Sequence, residues 1–141
     1  GLFNGTSKGT FSPKAEMTRE MLMTVIARLN GADTEGDALA KGMAWAVKNG
    51  ISDGENPEEA ISREEFALIL YRYAQYLGKQ AIERADLSRY TDAGAVSETA
   101  LPAVQWAAAE AILRGDNFRL NPQDGATRAE AAAMLHRFFT R

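Results

Sequence analysis

Three times this chain sets a small hydroxyl residue directly before an arginine: Thr18-Arg19-Glu20, Ser62-Arg63-Glu64 and Thr127-Arg128-Ala129-Glu130. Each arginine stands six residues past a proline, namely Pro13, Pro57 and Pro122. Counted from each arginine, apolar or small residues recur at +3, +6, +7 and +10. These are Leu22, Val25, Ile26 and Leu29; Phe66, Ile69, Leu70 and Tyr73; and Ala131, Met134, Leu135 and Phe138. That spacing is one face of a helix. Its threefold recurrence restricts the chain to a tandem of helical units, each burying its apolar face against a neighbour. Thr18, Ser62 and Thr127 read as N-caps. Glu65 and Glu130 complete capping boxes with Ser62 and Thr127, a task Met21 cannot perform in the first copy.

A second element precedes two of these helices. Trp45-Ala46 and Trp106-Ala107 lead, six residues on, to Ile51 and Ile112, and nine residues on to Gly54 and Gly115. Helices are therefore predicted near 18–30, 37–49, 62–77, 102–114 and 127–139, with Pro102 suited to a helix start. Gly5, Gly54 and Gly115 are assigned to turns with positive φ. The opening Gly1-Leu2-Phe3-Asn4-Gly5 matches the end of a Trp-Ala element, so the first unit is expected to lack its first helix. Three units follow: 1–31, 32–78, and 79–141 with the longest linker at 79–97. No stretch alternates like a strand, so the class is all-α.

Composition narrows the function. Hydrophobic residues make up 45% and charged residues 25%, as in a folded domain. A net charge of -3 and a pI of about 5.2 offer no basic stripe for nucleic acid. There is no cysteine, hence no disulfide, thiolate metal site or cysteine nucleophile. No apolar run approaches the ~20 residues of a membrane span, and no signal peptide is visible. His136 is the single histidine, so no histidine pair can hold a metal, and no EF-hand spacing follows Asp53, Glu55 or Asp116. Nucleophile-elbow and phosphate-loop motifs are absent. No metal, cofactor or catalytic role is predicted.

An arginine in the first helical turn meets the positive end of the helix dipole. Placing it there three times points to a task for the guanidinium, and an anion is its natural partner. Together the motifs resemble the S-layer homology (SLH) domain family. They are Trp45-Ala46, Gly50-Ile51-Ser52-Asp53-Gly54, Gly9-Thr10-Phe11-Ser12-Pro13, Thr127-Arg128-Ala129-Glu130 and the lead-in Tyr90-Thr91-Asp92. The resemblance covers nearly the whole chain. It implies tandem helix-loop-helix repeats in a pseudo-threefold bundle. It also implies a non-enzymatic, extracellular anchor on the bacterial cell wall or S-layer. The implied ligand is an acidic, often pyruvylated, secondary cell-wall polysaccharide lying in grooves between repeats. Arginine contacts then carry over onto Arg19, Arg63 and Arg128, with Thr18, Ser62 and Thr127 beside them.

The same residues have structural uses. The three arginines can pair with Glu20, Glu64 or an acidic residue of the next repeat, although exposed pairs contribute only ~0–1 kcal/mol. Arg28, Arg72 and Arg137 are assigned to covering the apolar stripe with their stems. Trp45 and Trp106 can stack on sugar rings or fill the core. Phe11 and Leu120 are read as plugs beneath loops, and the glycines Gly5, Gly54 and Gly115 as turns that also approach ligand. The middle loop is short, 3 residues from Gly54 to Pro57 against 8 and 7 in the others, and carries Glu55 where they carry Phe11 or Leu120. Glu55 is accordingly expected beside Arg63, making that site the weakest. A rival function is protein–protein assembly of an S-layer or filament, in which another chain supplies the missing first helix.

Overall fold

The computed structural model describes residues 15–140. Gly5 and the Gly9–Pro13 motif lie outside them. Five α-helices follow in order: α1 Arg19–Leu29, α2 Ala38–Lys48, α3 Arg63–Tyr76, α4 Leu101–Ala109 and α5 Arg128–Thr140, with a short 3-10 turn at Ala93–Ala95. The fold is all-α; extended pairing among the described residues is limited to isolated bridges. None of these helices is long and apolar enough to cross a membrane.

Helix starts follow the sequence closely because side-chain caps fix them. Thr18 Oγ1 accepts from Met21 N (3.2 Å), Ser62 Oγ from Glu65 N (3.2 Å) and Thr127 Oγ1 from Glu130 N (3.1 Å). The capping box closes fully at Thr127, whose amide donates to Glu130 Oε1 (3.2 Å). Glu65 instead accepts from the Ser62 hydroxyl (3.1 Å).

Helix α4 ends five residues before the predicted 114. The cause is a left-handed residue, Ala111 (φ 58°), which turns the chain. Ala111 N donates to Ala108 O (3.1 Å) and Ile112 N to Ala107 O (2.8 Å). This is the paired hydrogen bonding of a Schellman ending. Helix α2 ends identically at Gly50 (φ 74°), with Gly50 N on Val47 O and Ile51 N on Ala46 O.

The segments entering α1, α3 and α5 hold the molecule together. Met17 N donates to Ala126 O (2.9 Å), Ile61 N to Met17 O (2.8 Å) and Ala126 N to Ile61 O (2.9 Å). These three bonds close a cycle, and Met17, Ile61 and Ala126 are all buried. An outer set repeats the pattern one step later, with Arg19 N on Glu59 O, Arg63 N on Asp124 O and Arg128 N on Ala15 O. Buried backbone groups must find partners, and here each repeat satisfies the next.

Helix α2 packs on α1, and α4 on α3. The first contact is close because Gly42 lies against Thr24; a Cβ there would sit 2.6 Å from Thr24 Cα. The second is aromatic, with Trp106 edge-on to Tyr71 (5.7 Å) and to Phe138 of α5 (6.3 Å). The 79–97 linker is not loose. Buried Glu64 accepts from Ser97 N (3.1 Å) and Gln123 Nε2 (2.7 Å), tying α3 to the linker and to the loop before α5.

Candidate functional site

Each repeated arginine is the first residue of its helix, launched from the backbone cycle toward the next repeat. Arg19 forms an ion pair with Glu65 of α3, and Arg63 forms one with Glu130 of α5. Both carboxylates belong to the third helical residue, the capping-box position. Arg128 reaches the corresponding residue of α1, where Met21 Sδ lies 3.7 Å from its Nη2. The guanidinium groups thus link successive repeats, and the partner acid comes from the next helix rather than from Glu20 or Glu64.

These pairs stand at the heads of two clefts. The first, about 380 Å³, lies between Arg19, the loop at Ser52 to Asn56, and the α3 stripe Glu65, Leu68, Ile69 and Arg72. The second, about 510 Å³, lies between Arg63, the loop at Leu113 to Asp116, and the α5 stripe Glu130, Ala133, Met134 and Arg137. Position for position they correspond: the stripe sits at +2, +5, +6 and +9 from Arg63 in one and from Arg128 in the other. Each cleft therefore receives an arginine from one helix start and a second from two turns along the next helix.

Donor use differs within each cleft. Arg63 donates from Nε to Leu120 O (2.8 Å) and from Nη2 to Arg114 O (2.9 Å), besides its pair with Glu130. A guanidinium has five N–H donors, so capacity remains. Arg19 Nη1 reaches Glu55 O at 3.4 Å. The Arg72 guanidinium makes no hydrogen bond or ion pair among the described residues. Arg137 donates to Ile112 O (3.3 Å). Burial, and then the positive charges of Arg114 and Arg63, push the Arg137 pKa down. It stays cationic at neutral pH, and a bound anion would relieve the repulsion.

The sequence is similar to that of known proteins. The S-layer homology domain model matches residues 1–20 and 89–132. An amylopullulanase of Thermoanaerobacterium thermosulfurigenes is 30% identical across 96% of this chain and 8% of its own length. A cellulosome-anchoring protein of Acetivibrio thermocellus is 27% identical across 97% of this chain and 35% of its own. An endoglucanase of a Bacillus species is 27% identical across 95% of this chain and 16% of its own. The chain belongs to the S-layer homology domain family. It spans 8% to 35% of the length of these relatives.

Seen as an SLH module, several predicted site residues take definite places. Thr18, Ser62 and Thr127 use their hydroxyls as helix caps beside the arginines. Gly54 has the positive φ expected (79°), but Gly115 does not. Gly115 is required by closeness instead: a Cβ would run into the Tyr90 ring and stand 2.9 Å from Arg119 O. Gly54 borders neither arginine cleft, whereas Gly115 lines the second. Trp106 is fully buried, so stacking on a sugar is closed to it. Trp45 is half-buried at the rim, edge-on to Tyr76 (5.6 Å), and lines neither cleft. Leu120 is a buried plug as expected.

Two expectations are corrected. Glu55 lies in the Arg19 cleft, not beside Arg63, because Arg19 and Arg63 each reach the loop of the repeat after their own. The SLH clefts also recruit Arg72, Arg114 and Arg137, with Arg72 and Arg137 lining cavities as well as covering apolar stripe. The sequence held the signal: +2, +6 and +9 fall on one helical stripe, so an acid, an apolar residue and an arginine share one face.

Proposed function

We propose that this SLH module anchors its parent protein by binding the acidic, pyruvylated ends of a secondary cell-wall polysaccharide in the Arg19 and Arg63 clefts, without catalysis. The observation that carries this is the doubled arginine placement, Arg19 with Arg72 and Arg63 with Arg137, in two corresponding inter-repeat cavities. A ketal carboxylate suits a planar guanidinium, which meets it along two parallel N–H bonds. Glu65 and Glu130 orient the first arginine of each pair, and the second completes the anion's shell. Both volumes fall within the usual span of small-ligand sites. The cycle of backbone bonds through Met17, Ile61 and Ala126 supports a pseudo-threefold bundle built from units 1–31, 32–78 and 79–141.

Calorimetric titration with purified pyruvylated wall polymer tests the reading. Binding lost after mild acid removal of pyruvate is the expected result; equal binding to the stripped polymer would overturn it.

A second reading, assembly through a donated helix, is favoured by one observation. Helix α2 covers α1 and α4 covers α3, but α5 has no comparable covering helix among the described residues. Its Ala129 and His136 are exposed, and Ala132 and Ala133 are half-buried. Light scattering separates the readings: self-association would favour donation by another chain.

A further inference from the structure

Beside the Arg63 cleft lies another cavity of about 550 Å³, bounded by Arg89, Tyr90, Leu113, Arg114, Asn117 and Phe118. Leu113, Arg114 and Gly115 line both, so the two cavities share a wall. The lining carries the guanidinium groups of Arg89 and Arg114 and, among the described residues, no carboxylate. That is a cationic pocket in a chain of net charge -3. Its far side is fixed: the Arg89 guanidinium lies 4.8 Å from the Tyr90 ring centroid and donates to the Tyr90 hydroxyl at 2.6 Å.

The carbonyl of Phe118 accepts from Thr91 N (2.8 Å), but its side chain is a feature folding does not explain. It is 70% exposed and left-handed, with φ 60°, after Asn117 at φ 49°. The two form a two-residue turn between Asp116 and Arg119, whose backbones exchange both hydrogen bonds at 2.9 Å. Turns of this kind favour Asn-Gly. Asn117 conforms; at 118 a Cβ is disfavoured, and the exposed ring recovers little by burial. A strained aromatic held toward solvent at the rim of a cationic pocket points to function.

We propose that this pocket is a second saccharide subsite. It receives the sugar unit next to the acidic end held by Arg63 and Arg137, with the sugar face on the Phe118 ring and its polar substituents toward Arg114. The proposal rests on the Arg63 cleft holding that end. Arg114, lining both cavities, spans the junction between the two sugars.

Two probes on the full chain test it: a pyruvyl-ketal monosaccharide, and a polymer fragment of several units with the same end. Phe118→Gly suits the turn, so the melting temperature should hold or rise. The fragment should bind about five- to tenfold more weakly and the monosaccharide within about twofold of wild type. Phe118→Asn, which also tolerates a positive φ, should do the same. Unchanged fragment affinity, or equal losses for both probes, would overturn the subsite while leaving the cleft reading intact. Failure of wild type to bind either probe would overturn the cleft reading and the subsite with it.

Discussion

The Arg19 cleft and the Arg63 cleft occupy corresponding places between successive repeats, yet Asp53 lines the first where Arg114 lines the second. Both residues stand eight positions past the tryptophan of their own repeat. The first cleft sets Arg19 and Arg72 against Asp53, Glu55 and Glu65. The second sets Arg63, Arg114 and Arg137 against Asp116, Asp124 and Glu130. Floors differ too, with Leu68 and Ile69 in one and the slimmer Ala133 and Met134 in the other, in keeping with volumes of about 380 and 510 Å³. One scaffold thus carries a tighter, more acidic cleft and a roomier, more cationic one. An anion is expected to gain more in the second, where three arginines balance three carboxylates, than in the first, where two arginines face three.

The largest effect should come from the arginine at the head of the cationic cleft. Arg63→Ala is expected to weaken pyruvylated polymer about thirtyfold, against about threefold for Arg19→Ala. Removing Arg63 also strips partners from Glu130, Leu120 O and Arg114 O, which lowers stability by about 1–3 kcal/mol. Titration should therefore be run well below the melting point and repeated with Arg63→Lys, which keeps charge but not the two-edged contact. Equal losses from Arg19→Ala and Arg63→Ala would erase the distinction between the clefts.

Exchanging the differing pair sharpens the comparison. Arg114→Asp should lower affinity at the Arg63 cleft about tenfold, and Asp53→Arg should raise it at the Arg19 cleft by a similar factor. Neither side chain is buried, so the fold should tolerate both changes. A double variant with unaltered affinity at both clefts would show that local charge does not govern them.

The clefts should also differ in acid. Burial opposes ionisation of Asp92, but the amides of Leu120 and Asn121, both at 2.8 Å, outweigh it and hold the carboxyl below its usual range. The folded pKa lies below the unfolded value of about 3.9. The stabilisation is therefore present above that value and disappears as pH falls through the folded pKa. Asp92 braces the loop that supplies Leu120 O to Arg63. Asp92→Asn should cost about 1 kcal/mol in a thermal melt at neutral pH and flatten the loss of stability in acid. The loop that supplies Glu55 O to Arg19 is held instead by Asp53, whose Oδ1 accepts from Glu55 N (2.9 Å), so binding at the Arg19 cleft should keep its acid profile in the Asp92 variant.

How far the sequence disclosed this is clear residue by residue. Caps and apolar periodicity are local, so three helix starts were legible from Thr18, Ser62, Thr127 and the stripes behind them, the other two helices from Trp45-Ala46, Trp106-Ala107 and Pro102, and with them the all-α class. The inter-repeat step was not. Nothing within a single unit says that Arg63 meets Glu130 or that Glu55 belongs with Arg19; those pairings come from the backbone cycle through Met17, Ile61 and Ala126. Trp106 and Trp45 share a sequence position, yet one is buried and one half-exposed, because Trp106 has Tyr71 and Phe138 around it. Gly115 looked like a turn glycine and proved to be a matter of clearance to Tyr90.

The smallest effect concerns the loops themselves. Gly50 and Ala111 hold the same left-handed place at the ends of α2 and α4, just ahead of the Asp53 and Arg114 loops. Both endings have the same paired hydrogen bonds, so the difference reduces to one Cβ. In the left-handed region a Cβ crowds the neighbouring carbonyl oxygen, while glycine loses more entropy on folding. The steric term is the larger of the two. Ala111→Gly should therefore stabilise by about 0.5–1 kcal/mol, and Gly50→Ala should destabilise by a similar amount. Urea melts of the two variants read this directly. If Ala111→Gly destabilises, the turn ahead of the cationic cleft is held by contacts of the Ala111 methyl rather than by the backbone ending it shares with its counterpart.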